Sequence, residues 1–268
     1  MRPERHTLPA ARPALARSVE GQGPALVLFH GGMGSRTHWS RNIPVLATRF
    51  TVHGFDLPGF GESPDVPTGT GPDEYLDWVA EEVSRLEAPV ELAGFSFGGV
   101  VAAATAARLG EGVRRMTLVG PGGFGIPVGR SIQLRRMPGR EASDQERREV
   151  IAHNLGQWML HRTPAPEDPV VDIQWNNVRG ARFDSRTVSL RDSLADDLAR
   201  ARCQVQILWG ADDPLAHPSI AVRADICRAA RPDLITHIIP QAGHWTQFEA
   251  ADAVNALLLS FHSEETAA

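Results

Sequence analysis

The sequence predicts an α/β fold: a mainly parallel β-sheet with helices on both faces and an inserted helical cap. Apolar runs such as Ala25–His30 and Val113–Val119 are continuous rather than alternating, which is typical of strands buried on both faces of a parallel sheet. These runs alternate with stretches of helical periodicity, and several of them end in glycine-rich loops. A chain of 268 residues has room for one such domain carrying an insertion.

Each predicted strand is a short apolar run bounded by turn-forming residues, and each predicted helix carries apolar residues at helical spacing. In the first long helix, for example, Leu76, Val79 and Val83 share one face, and Asp73 is predicted to cap it. The predicted strands cover 14–19, 25–30, 50–55, 89–93, 113–119, 205–209 and 234–239, and the predicted helices cover 73–86, 100–109, 141–161, 170–183, 218–230 and 248–261.

The composition changes between the strand at 113–119 and the strand at 205–209. Residues 122–195 contain many charges and several prolines, and they show no regular alternation of strand and helix. A segment of this length is too long for a simple loop inside a compact domain. We therefore expect a core formed by residues 1–121 and 196–268, with residues 122–195 inserted as a helical cap.

Composition also excludes several classes of protein. A net charge of -5 and a pI of about 6.1 do not indicate a nucleic-acid partner. The chain has no lysine, which excludes Schiff-base chemistry on a lysine. Cys203 and Cys227 fit neither a metal site nor a disulfide framework, so they are expected to be buried thiols. We expect no metal, no cofactor, no signal peptide and no membrane segment, and hence a cytoplasmic protein; a homodimer is left open.

The most informative stretch is Gly94–Gly99, which reads Gly-Phe-Ser-Phe-Gly-Gly between a predicted strand and a predicted helix. In this context Gly-x-Ser-x-Gly predicts a nucleophile elbow. A turn this sharp strains the serine backbone and leaves little room for side chains on its neighbours. Ser96 is therefore the predicted nucleophile.

Two further strand ends supply the groups that a serine nucleophile needs. His244 follows the last predicted strand and can act as the base, because an imidazole exchanges protons near neutral pH. Asp212 and Asp213 both follow the strand at 205–209 and compete as the acid that orients this histidine. We favour Asp213, although both could simply be turn residues before Pro214.

The glycine-rich loop that starts at His30 has three possible roles. A phosphate-binding loop would require a lysine, which the chain lacks. An oxyanion hole requires only backbone N–H groups beside the nucleophile, and Gly32 and Phe97 are placed to supply them. We favour the oxyanion hole over a purely structural turn.

Together these motifs resemble those of the α/β-hydrolase superfamily, in which nucleophile, acid and histidine follow this chain order. The resemblance covers nearly the whole chain outside the predicted cap. It rests on His30–Gly32, Asp56–Ser63, Gly94–Gly99, Trp209–Asp213 and Gly243–His244.

A narrower resemblance is to the meta-cleavage-product hydrolases, through Gly120–Gly123, Gly243–Trp245 and Val178–Phe183. It implies hydrolysis of a carbon–carbon bond in a 2-hydroxy-6-oxo-dienoate-type acid. By this match Arg182 would bind the substrate carboxylate, as an arginine fork can, and Trp245 would line the pocket. A carboxylesterase, an amide or lactone hydrolase, and a ligand receptor with slow turnover remain alternatives.

Overall fold

The fold is described from a computed structural model, which covers residues 12–127, 132–139 and 141–263. Residues 1–11, where the sequence predicts no signal peptide, lie outside the described residues. So do residues 128–131 and 140 of the predicted cap and residues 264–268 at the end of the core.

A seven-stranded sheet forms the centre of the molecule, in the order β1-β3-β2-β4-β5-β6-β7. Only β1 runs antiparallel to its neighbour, β3, and all other pairs are parallel. The predicted mainly parallel sheet is confirmed. The strands are β1 (Arg17–Glu20), β2 (Ala25–Phe29), β3 (Thr51–Phe55), β4 (Val90–Phe95), β5 (Val113–Val119), β6 (Gln204–Gly210) and β7 (Ile235–Ile239).

Helices cover both faces of this sheet because successive side chains of a buried strand point in opposite directions. In β2, Val27 and Phe29 join the apolar cluster under α2, α3, α7 and α8, whereas Leu26 and Leu28 join the cluster under α1 and α10. The helices are α1 (Ile43–Leu46), α2 (Pro72–Ser84), α3 (Phe97–Leu109), α4 (Asp144–Trp158), α5 (Pro169–Gly180), α6 (Arg186–Ser189), α7 (Leu194–Arg200), α8 (Ile220–Ala230), α9 (Thr246–Glu249) and α10 (Ala251–Ser263).

The chain between β5 and β6 contains the four helices α4 to α7, and we call this part the α4–α7 segment. Its carboxyl-terminal part is held to the core, because the Gly123 N–H donates to the Ser189 carbonyl (2.9 Å) and the Leu194 N–H donates to the Gly123 carbonyl (3.0 Å). These bonds place residues 183–190 beside the loop that follows β5. The exact division into core and cap stays a prediction.

Several predicted helix boundaries were wrong. The helix predicted at 141–161 covers 144–158, and the one predicted at 170–183 ends at 180. Helix α2 begins at Pro72, with Gly71 in the capping position, so Asp73 lies inside the first turn and binds Arg191 (2.8 Å) instead of capping. The predicted closing helix is two helices, α9 and α10, separated at Ala250.

The described residues also bear on the other sequence predictions. Cys203 and Cys227 are buried, as predicted, and burial raises the pKa of the first thiol to about 11 and of the second to about 12. Within the ranges covered, no helix combines the length and apolar character needed to cross a membrane. The same ranges hold no group of three or more His, Cys, Asp or Glu side chains arranged to bind a metal ion.

Candidate active site

Ser96 lies at the junction of β4 and α3 in a strained conformation, with φ of 53° and ψ of −112°. Its N–H donates to the Val119 carbonyl (2.9 Å), and its own carbonyl accepts from the N–H of Gly99 (3.0 Å) and of Gly122 (3.1 Å). A side chain at Gly98 would collide with the carbonyl oxygen of Phe29, so glycine is required there. These backbone hydrogen bonds thus keep Ser96 in its strained conformation, with the half-buried residue at the carboxyl edge of the sheet.

His244 and Asp213 form a buried pair beside this serine. The Nδ1 of His244 lies 2.8 Å from Oδ2 of Asp213, and the other carboxylate oxygen accepts the Leu215 N–H at 2.8 Å. His244 Nε2 is buried and has no hydrogen-bond partner among the described residues, and Ser96 lies on the same cavity. The structure therefore brings the three predicted residues together, although no Ser96–His244 hydrogen bond is formed between these two described side chains.

The two candidate acids have different partners. Asp213 is 8% exposed and binds His244, whereas the Asp212 side chain is 47% exposed and pairs with His161 Nδ1 (3.0 Å). The positions differ because the Asp213 N–H closes a turn onto the Gly210 carbonyl (3.2 Å), which directs its side chain inward. The geometry therefore places Asp213, and not Asp212, beside the histidine.

The two predicted oxyanion donors also face this cavity. In the part of the chain that the structure covers, no acceptor takes the N–H of Gly32 or the N–H of Phe97. These two N–H groups on the Ser96 cavity are therefore available to donate to an oxygen atom of a bound molecule.

Sequence reasoning treated His30 only as the start of a motif, but the structure gives it a defined contact. Its Nδ1 lies 2.7 Å from the Gly31 carbonyl oxygen, and its Nε2 accepts the Leu57 N–H at 2.9 Å. Both contacts require a neutral ring with the proton on Nδ1. Burial lowers the pKa of His30 to about 4, which keeps the ring neutral at physiological pH. Because the Gly31 carbonyl and the Gly32 N–H belong to one peptide plane, this bond fixes the direction of the Gly32 N–H.

His38 was missed entirely by sequence reasoning. Its Nδ1 accepts the Gly31 N–H at 3.1 Å, so the ring must be neutral at that atom. Burial lowers the pKa of His38 well below its usual value, and the nearby His30 and His244 act in the same direction. Two buried neutral histidines thus hold the Gly31 residue from its carbonyl side and its N–H side. No periodicity or motif signals His38, because its role depends on a contact across a loop.

The cavity at Ser96 has a volume of about 620 Å³. Its floor consists of the loops after β2, β4 and β5, and most of its upper wall comes from residues 132–190. A buried positive charge, Arg223 of α8, also contributes to the wall. Its Nε donates to the His217 carbonyl (3.0 Å), and its guanidinium lies 4.6 Å from the centre of the Phe124 ring. The apolar side chains of the wall include Met33, Ile132, Leu134, Trp158, Phe183 and Leu190.

Arg182 does not reach this cavity. Its guanidinium donates to Asp65 Oδ1 (2.5 Å), to the carbonyls of Gly61 and Gly180 (3.0 Å each), and to the Ser63 carbonyl (2.6 Å). The loop after β3 therefore binds this arginine through several acceptors at once. The structure contradicts the expectation that Arg182 binds a substrate carboxylate, and it gives the residue a role in joining the end of α5 to that loop.

Trp245 also lies outside the cavity wall. It is fully buried, its Nε1 donates to the His38 carbonyl (2.9 Å), and its ring stacks on Phe248 with 4.4 Å between ring centres. Its N–H donates to the Met159 carbonyl (2.7 Å), which ties the His244 loop to the end of α4. The expectation that Trp245 lines the pocket is therefore corrected: its ring packs between His38 and Phe248 in the core.

Comparison with known proteins agrees with this architecture. The sequence profile of the alpha/beta hydrolase family matches residues 26–257, so the chain belongs to the alpha/beta hydrolase family.

Within that family, the chain is 30% identical to a 2-hydroxy-6-oxononadienedioate/2-hydroxy-6-oxononatrienedioate hydrolase of Escherichia coli K12. That match covers 90% of this chain and 88% of the relative. A pimeloyl-[acyl-carrier protein] methyl ester esterase of Aeromonas hydrophila is 49% identical over 89 residues, which is 32% of this chain and 34% of the relative. Among solved structures, a meta-cleavage product hydrolase from Pseudomonas fluorescens IP01 superposes with a TM-score of 0.74. It is 23% identical and the match covers 92% of this chain and 93% of the other. The relatives thus include both carbon–carbon bond hydrolases and esterases.

Proposed function

We propose that this protein is a serine hydrolase in which Ser96, His244 and Asp213 act as a catalytic triad on a small carbonyl substrate. The observation that carries the proposal is the buried His244–Asp213 pair, whose unpartnered Nε2 faces the cavity that also exposes the strained Ser96. An open Ser96–His244 contact is compatible with this role, because such bonds often close only when substrate binds.

In this mechanism the Ser96 hydroxyl attacks the carbonyl carbon while His244 Nε2 accepts its proton. Asp213 holds the proton on Nδ1 and stabilises the imidazolium that forms. The N–H groups of Gly32 and Phe97 stabilise the negative charge on the carbonyl oxygen. The imidazolium then protonates the leaving group, whether this is an alkoxide or a carbon atom, and water releases the acyl group by the reverse route.

The favoured substrate is a 2-hydroxy-6-oxo-dienoate-type acid, hydrolysed at a carbon–carbon bond. The 30% identity to a hydrolase of such a compound supports this choice. The cavity supports it as well, since a largely apolar wall with the buried cation Arg223 suits an elongated apolar acid. An esterase is the second candidate, favoured by the local 49% identity to a methyl ester esterase.

The nucleophile is tested by chemical labelling. A fluorophosphonate probe is expected to modify the folded protein at Ser96, because this serine lies at the elbow on the cavity that also exposes the His244 imidazole and the two predicted oxyanion donors. Peptide mass spectrometry locates the modified residue. The exposed Ser40 serves as the control, and Ser40→Ala should label at the same rate as the unmodified protein. Modification at another serine, or equal modification of the heat-denatured chain, would contradict the assignment.

The substrate is tested by direct comparison. We expect a yellow dienoate acid to be bleached with a higher kcat/KM than that for p-nitrophenyl acetate, measured by absorbance. Arg223→Gln should raise KM for the acid by roughly fivefold, because it removes a positive charge from the cavity wall, which attracts a carboxylate by about 1 kcal/mol even though the guanidinium donates to the carbonyls of His217 and Pro121. The same change should leave KM for the neutral ester within about twofold. A preference for the ester in the unmodified protein would favour the esterase.

A further inference from the structure

The α4–α7 segment places a serine hydroxyl against the predicted oxyanion site. A Cβ atom added to Gly32 would lie 2.5 Å from Oγ of Ser185 and 4.0 Å from Cβ of Phe97. Ser185 therefore occupies the space that a side chain at position 32 would fill. Ser96, Gly32, Phe97 and Ser185 all line the same cavity.

The Ser185 hydroxyl lies on the cavity and is unbonded. The residue is 9% exposed, and its Oγ forms no hydrogen bond with any other residue in the described ranges. A hydroxyl that lines a cavity and has no partner in the protein is free to donate to a molecule bound there. When a substrate fills the cavity, it is the molecule to which the Ser185 hydroxyl can donate a hydrogen bond.

The backbone of Ser185 is anchored rather than loose. Its carbonyl accepts the N–H of Val188 (3.1 Å) and of Ser189 (2.9 Å), and the Ser189 carbonyl in turn accepts the Gly123 N–H (2.9 Å) from the loop after β5. The backbone that carries this hydroxyl is thus held by the same loop that contacts Ser96, whose carbonyl accepts the Gly122 N–H. Anchored donors stabilise a developing charge best, because they need not reorganise during the reaction.

We propose that Ser185 is a further catalytic residue: its hydroxyl donates a third hydrogen bond to the oxyanion, beside the N–H groups of Gly32 and Phe97. This inference rests on the proposed function. It also implies that the α4–α7 segment contributes directly to the chemical step, in addition to shaping the pocket. Substrates whose carbonyl oxygen acquires a full negative charge would gain most from this bond.

The test compares Ser185→Ala and Ser185→Thr with the unmodified protein. For p-nitrophenyl acetate, or for the dienoate if that is turned over faster, Ser185→Ala should lower kcat by about tenfold to a hundredfold and change KM by less than about threefold. Ser185→Thr keeps the hydroxyl and should retain kcat within about threefold. A trifluoromethyl ketone, which forms an oxyanion on the serine, should bind Ser185→Ala more weakly by the same factor as the loss in kcat/KM.

Ser193→Ala is the matched control, because Ser193 lies in the same segment outside the cavity wall and its side chain makes no capping bond. It should keep kcat and KM. The inference is overturned if Ser185→Ala stays within twofold of the unmodified kcat, if only KM changes, or if the threonine variant loses as much kcat as the alanine variant. In each of these cases Ser96 labelling and turnover by the unmodified protein leave the proposed function intact. An unmodified protein that neither labels at Ser96 nor turns over would overturn both.

Discussion

Ser96→Ala is expected to lower kcat by about 10⁶-fold, because the variant retains the binding site and the oxyanion donors but lacks the attacking oxygen. The substitution leaves the His244–Asp213 pair and the rest of the cavity wall unchanged, so we expect the variant still to bind the substrate. Steady-state kinetics and equilibrium binding of the substrate would measure the two effects separately. A variant that kept a tenth of the activity would show that Ser96 is not the nucleophile.

The assignment of the acid is tested by comparing kcat of Asp213→Asn with kcat of Asp212→Asn. Asp213→Asn is expected to lower kcat by about 10⁴-fold, because an amide at 2.8 Å from His244 Nδ1 favours the wrong tautomer. Asp212→Asn changes a half-exposed carboxylate that pairs with His161, and kcat should stay within about threefold. Equal losses in the two variants would contradict the assignment of Asp213 as the acid.

The second large effect is a loss of stability in mild acid. An unfolded histidine titrates near pH 6.5, whereas burial lowers the pKa of His30 to about 4 and that of His38 well below its usual value. Between these values the unfolded chain binds protons that the folded chain excludes. The contribution of these histidines to the free energy of unfolding is therefore at its maximum above pH 6.5, and it falls as the pH drops from about 6.5 towards 4. His30 alone accounts for about 3 kcal/mol of this loss.

Urea unfolding at pH 7, 6, 5.5 and 5 would measure this effect, in a range where ordinary carboxylates remain ionised. His38→Gln removes one of the buried rings. The slope of its unfolding free energy against pH should therefore be smaller than that of the unmodified protein, and the difference should be about 1.4 kcal/mol per pH unit. His237→Gln, on the edge strand β7, is the control and should keep the slope of the unmodified protein. A flat stability between pH 7 and pH 5 would show that the folded protein accommodates these rings in their charged form.

The buried histidines also connect stability to the site. His38 accepts the Gly31 N–H and His30 accepts the Leu57 N–H, and each ring can accept only while that nitrogen is unprotonated. Mild acid that protonates His38 would therefore break the bond to Gly31, the residue before the predicted oxyanion donor Gly32, together with weakening the fold.

Local sequence patterns were sufficient for the sheet and for the three central residues. A continuous apolar run followed by glycines predicts a buried strand and the loop that follows it. In a parallel sheet, the loops that follow the strands lie at the same edge. For that reason Ser96, Asp213 and His244 could be predicted to meet, although 117 residues separate the first two and 31 the last two. The predicted boundaries of α2 and of the last helix failed because neighbouring residues at a helix end differ little in their tendency to start or stop a helix, and neither N-cap residue there makes a side-chain capping bond.

By itself, the sequence determined the fold class and the order of the strands. It also predicted Ser96 as the nucleophile and His244 as the base, and it limited the acid to Asp212 or Asp213, because each of these predictions depends on neighbours within a few residues. Only the tertiary structure decided that Asp213 rather than Asp212 faces His244, and that Arg182 binds the loop after β3 instead of the cavity. It alone placed His38 on Gly31 and Ser185 beside Gly32. These contacts depend on how loops and segments distant in the chain pack together, and that packing follows from the whole folded structure rather than from local periodicity.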